Sequence, residues 1–179
     1  MPRKRLKKYF FCLIVFIIAS GFWLKAQPGS SASASGHITA EVITVFSATE
    51  MSQMNFGRFY PGPQGGEIIL TPESTVSVLG SVYKEAGSQT AASFYVSGHT
   101  GVSFTVTLPQ EPVVLRHVTS ARTLLVSDWV SNPGTGTGAG ILQDGAQMVY
   151  VGATLKVGTL EDNPVGVYAG TYSITFDFN

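Results

Sequence analysis

Gly166-Val-Tyr-Ala-Gly-Thr-Tyr-Ser-Ile-Thr-Phe-Asp-Phe-Asn179 is the stretch that decides the fold class. Gly166, Tyr168, Gly170, Tyr172, Ile174, Phe176 and Phe178 share one parity, and Ala169, Thr171, Ser173, Thr175, Asp177 and Asn179 share the other. A period of two sends alternate side chains to opposite faces of a sheet, and aromatic and β-branched residues favour that pleated surface. The segment therefore reads as one long strand with an apolar face. Each large apolar side chain buried on it contributes roughly 1.5–3 kcal/mol, so the rest of the chain has to give that face a partner.

Before it, Glu161-Asp-Asn-Pro-Val-Gly166 reads as a turn, and Met148 to Val157 alternates Val149, Val151, Ala153, Leu155 and Val157 against Tyr150, Thr154 and Lys156. Asn132 to Gly140 reads as a long, flexible glycine loop. Val113 to Leu125 fits helical spacing in part, with Pro112 suited to a first turn, but its threonines and the run Thr123 to Val130 favour two strands. Ala92 to Val96 and Val102 to Leu108 flank Ser97-Gly-His-Thr-Gly101 and are expected to pair as a hairpin. Thr75 to Tyr83 places Val76, Val78 and Val82 on one face, following a strand at Glu67 to Leu70. Pro61-Gly-Pro-Gln-Gly-Gly66 carries a strong turn signal, and Met54 to Phe59 is a short strand broken at Gly57. From His37, alternating Ile38, Ala40 and Val42 lead into Ile43, Val45 and Phe46, which predicts an inner strand buried on both faces. Nine or ten short strands without a helix predict an all-β, antiparallel immunoglobulin-like sandwich over residues 37–179.

The first 26 residues read differently. Arg3, Lys4, Arg5, Lys7 and Lys8 precede an apolar run from Tyr9 to Leu24, the build of a secretory signal peptide, with cleavage expected after Ala26. The run is short for a membrane span, and a retained N-terminal anchor is the alternative. Residues 27–36 are small and polar, as in a flexible linker. The expected destination is the periplasm, the cell surface or the medium, and membrane contact is expected through the signal segment alone.

Without residues 1–26 the chain keeps five basic and eleven acidic side chains, a net charge of −6. Such a surface lacks the clustered Lys and Arg that nucleic acid requires. Cys12, the single cysteine, lies in the signal segment, so the exported part can form neither a disulfide nor a thiolate metal site. Its stability is expected to come from packing alone.

Motifs for chemistry are weak throughout. Gly134-Thr-Gly-Thr-Gly-Ala-Gly140 lacks dinucleotide-fingerprint spacing and the lysine of a phosphate loop. His37, His99 and His117 are scattered, and Glu161, Asp162 and Asp144 lack a calcium-loop pattern. There is no Gly-x-Ser-x-Gly elbow. No catalytic residue, metal or cofactor is expected. Trp129 and Tyr60 lie next to loops, where a ring can edge the core or stack on a sugar.

Met54-Asn-Phe-Gly57, Gly65 to Pro72, Phe94-Tyr-Val-Ser-Gly98, Val151-Gly-Ala-Thr-Leu155 and Asn163 to Tyr172 resemble a bacterial secreted family catalogued as domain of unknown function forty-four-oh-two. The resemblance runs from His37 to Asn179. It implies an exported immunoglobulin-like sandwich without established catalytic residues. A more distant similarity joins the chain to chaperone-usher pilins, whose last strand carries a glycine and a penultimate aromatic where Gly166 and Phe178 stand. Pilins commonly carry a disulfide, which this chain lacks, and a tyrosine is usual at the position of Phe178.

These readings predict a non-catalytic surface or structural subunit, fimbrial or adhesive, that acts through strand pairing. Its partners would be copies of itself or other surface subunits, with Gln27 to Phe46 as the donor strand. The face from Gly166 to Phe178 would meet either such a partner or the domain's own second sheet. A carbohydrate-binding module using Trp129 and Tyr60 is the alternative, and a hydrolase the third reading.

Overall fold

The computed structural model describes residues 29, 31–42, 45–85, 87 and 89–179, with the backbone alone at 137–139. The expected signal segment lies outside the described residues. The chain divides into two compact units, Met1–Glu41 and Val42–Asn179. In the first, the described residues are exposed and have no regular structure.

The second unit is all-β and antiparallel. Its strands are β1 (Ser47–Ser52), β2 (Phe59–Leu70), β3 (Val76–Lys84), β4 (Ala92–Ser97), β5 (Ser103–Thr107), β6 (Val113–His117), β7 (Thr123–Asn132), β8 (Gly136–Ile141), β9 (Ala146–Val157), β10 (Tyr168–Ala169) and β11 (Thr175–Phe178). Eight strands form one sheet around β9, and β11, β5 and β8 form a second sheet of three.

Strand β9 organises the large sheet. Along one edge it pairs first with β4, through Ala146 to Val151, and then with β2, through Ala153 to Val157; β7 pairs with it too. Val149, Val151, Ala153, Leu155 and Val157 are all buried, as their alternation predicts. They feed two apolar clusters. One joins Ile68, Leu70, Leu124, Val126, Leu155 and Phe56; the other joins Val96, Val149 and Val151 with Phe104, Val106 and Leu142. Among the described residues the small sheet contributes Phe104, Val106, Phe176 and Phe178 to the second cluster and none to the first.

Several local expectations are corrected. Strands β4 and β5 do not pair: β4 joins β1 and β9, while β5 joins β11 and β8. The Ser97–Gly101 connection crosses between sheets, so that Val96 and Phe104 meet in one cluster from opposite sides. Pro61 to Gly66 is a bulge inside β2, where Pro61 pairs with Val82 and Gly65 with Ser81, and the chain does not reverse there. The glycine run forms β8, and a side chain at Gly140 would collide with the Phe104 ring. Residues 37–42 form no strand, and Ile38 and Val42 are almost fully exposed. Among the described residues, which leave out Ile43 and Thr44, the first strand begins at Ser47 instead. Two strands over Val113 to Leu125 are correct, since β6 and β7 pair as a hairpin.

Candidate functional site

The C-terminal stretch keeps its predicted parity but is not one strand. Tyr168, Tyr172, Ile174, Phe176 and Phe178 are half-buried and the intervening residues exposed. Tyr168 and Ala169 pair with His117 and Arg116 in the large sheet; Thr175 to Phe178 pair with Thr107 to Phe104 in the small one. Between them, residues 170–174 belong to no ladder. The apolar side chains pack at home, Tyr168 on the first cluster and Tyr172, Ile174, Phe176 and Phe178 on the second.

A corner holds the start of this segment. Thr119 N–H donates to His117 Nδ1 at 3.2 Å, which puts the ring proton on Nε2, facing the Val165 carbonyl at 3.1 Å. The Tyr168 hydroxyl donates to the Pro164 carbonyl at 2.9 Å, and its ring meets His117 edge-on. Gly166 lies against the same imidazole, where any β-carbon would strike Nε2. Asn163 is buried and ties the corner inward: Gly158 N–H donates to its Oδ1 at 2.6 Å, and its Nδ2 donates to the Thr123 carbonyl at 2.9 Å.

This corner forms one wall of an open cleft of about 810 Å³ over the first apolar cluster. Val113 and Leu115 on β6, with Leu124 and Val126 on β7, line its floor, and residues 53–61 form the opposite wall. Exposed Leu160, Val165 and Val167 make the rim apolar. The cleft exists because the small sheet stops short of the first cluster. Arg58 and Glu85, exposed and 3.9 Å apart, also line it.

Trp129 and Tyr60 both line the cleft, each against a different ring. Trp129 is half-buried with its centroid 4.8 Å from that of Tyr172. Tyr60 is exposed and stacks on Tyr83 at 5.1 Å, across a β2–β3 pair. Burial, and then the Glu50 carboxylate, push the Tyr172 phenol up to about 12. Sequence reasoning missed Tyr83 and the rim aliphatics. Val165 and Val167 carried a signal, being apolar at positions whose parity belongs to the solvated face.

The sequence model of one family, described as Domain of unknown function (DUF4402), matches residues 46–178. No curated protein and no solved structure matches the chain.

Proposed function

This chain belongs to the DUF4402 family, and on that footing we propose that it is an exported, non-catalytic structural or adhesive subunit that works by accepting a strand. The observation that carries this reading is the apolar cleft beside residues 170–174, whose backbone belongs to no ladder. An extended peptide laid along that backbone would form main-chain hydrogen bonds and send alternate side chains into the cleft, the mode known as β-augmentation. The C-terminal face itself is spent on the domain's own clusters, so the cleft takes the partner.

The donor is the N-terminal segment of another copy. Ile38 and Val42 share a parity, and both are almost fully exposed, as is most of Val45. A sheet face for these side chains would remove from water what the monomer leaves in it, at roughly 1.5–3 kcal/mol for each large side chain. Light scattering on the chain from Gln27 and on a chain starting at Val45 tests the reading. Concentration-dependent assembly of the first and a folded monomer from the second is expected; monomers from both would refute it.

The exposed Tyr60–Tyr83 stack beside Arg58 and Glu85 favours a second reading, carbohydrate binding, with Tyr83 in the place first given to Trp129. Titration with soluble oligosaccharides, comparing wild type with Tyr83→Ala, separates the two.

A further inference from the structure

Trp129 and Tyr172 meet where the cleft wall joins the core. Trp129 touches both apolar clusters, and Tyr172 stands on the segment without a ladder. The indole Nε1 and the phenol oxygen are sealed from solvent, and neither has a hydrogen-bond partner. Native interiors pair nearly all such groups, so two orphaned donors in contact require an explanation. An indole nitrogen only donates, and a protonated phenol donates as well as accepts, so each can donate to an acceptor. The two side chains therefore hold two unused N–H and O–H donors side by side.

We propose that Trp129 and Tyr172 are the polar anchor of the cleft, donating to main-chain carbonyl oxygens of an inserted peptide strand. The proposal rests on the strand-accepting reading and specifies the chemistry of the occupant. A peptide in an apolar cleft brings carbonyls on both of its edges. Those that pair with residues 170–174 find a ladder, and any that the ladder leaves over must be met by side chains or lose their hydrogen bonds. A hydrocarbon chain brings no acceptor and gains nothing from either donor. Both atoms are closed off from the cleft, so insertion parts the rings. Tyr172 can shift without breaking a cross-strand ladder, because residues 170–174 form none.

The substitution Tyr172→Phe separates this role from packing, since it keeps the ring and removes only the hydroxyl. In the unassembled subunit that hydroxyl bonds to nothing, so the thermal midpoint at a concentration below assembly should hold or rise. In the chain from Gln27, the concentration at the midpoint of assembly should rise about tenfold, the equivalent of one hydrogen bond to a carbonyl. A synthetic peptide with the sequence of residues 37–46 should compete with assembly of the wild type and do so more weakly with the variant. Binding of the hydrocarbon probe N-phenyl-1-naphthylamine should be the same for both proteins. An unchanged assembly midpoint, or a lowered thermal midpoint, overturns the anchor while leaving strand acceptance standing. If the wild type neither assembles nor binds the peptide, strand acceptance falls and the anchor falls with it.

Discussion

Phe46 and Phe178 stack with their ring centroids 4.2 Å apart and 22° between planes, joining the first and last residues of the family match. Phe178 also leans on Phe104 in the second cluster, and a side chain at Gly98 would strike the Phe46 ring. The stack thus closes the domain where its chain enters and leaves. Phe46→Ala should destabilise the domain by about 1–2 kcal/mol, less than a fully buried phenylalanine because the ring is partly exposed. Urea denaturation of the variant checks this.

Gly166→Ala should be among the most damaging single-methyl changes, because the added carbon meets the His117 ring and the ring is held at both nitrogens. A loss of about 1–3 kcal/mol is expected from overpacking. Gly134→Ala, at a position with nothing within 4 Å, is the control and should be near neutral. Chemical denaturation of both variants provides the comparison.

Asn163→Ala removes both bonds that tie the corner to β7 and to the end of β9. Two part-buried backbone groups lose their partner, so a cost of about 1–3 kcal/mol is expected. Amide exchange of residues 158–168 should quicken more than exchange in β9.

Tyr172 predicts a pH dependence. Its phenol lies at about 12 in the fold against the ordinary 10.0, so the folded state favours the protonated form. The contribution is fully present below pH 10 and is lost as pH rises from 10 to 12, where the unfolded chain ionises and the fold resists. Tyr172→Phe should flatten the fall of the thermal midpoint over that window, which thermal melts between pH 9 and 12 would measure. Tyr168 is also raised, chiefly by burial, and leaves part of the slope in the variant.

Much of the fold was legible because the apolar parity of a strand marks its buried face. In β9 every odd residue from Val149 to Val157 is buried, and β6 and β7 follow their β-branched runs. Parity says which way a side chain points, though not which sheet its strand joins. That is why Tyr168 to Phe178 kept its phase while changing sheets, and why Val96 and Phe104 looked like hairpin neighbours. Glycine and proline mark departures from ordinary backbone, and a bulge in β2 or an edge strand such as β8 uses them as readily as a loop does. Ile38 and Val42 alternate as a strand would, yet residues 37–42 are not in a strand. The cleft was illegible, because it arises from one sheet being smaller than the other.

The central claim, that a second copy's N-terminal segment fills the cleft, is tested most directly by disulfide trapping, since Cys12 is the only cysteine. In a chain carrying Cys12→Ser, Val42→Cys and Val113→Cys together should give a ladder of linked chains under oxidising, non-reducing conditions, and either substitution alone should not. Unlinked chains, or a cross-link confined within single chains, would contradict the account.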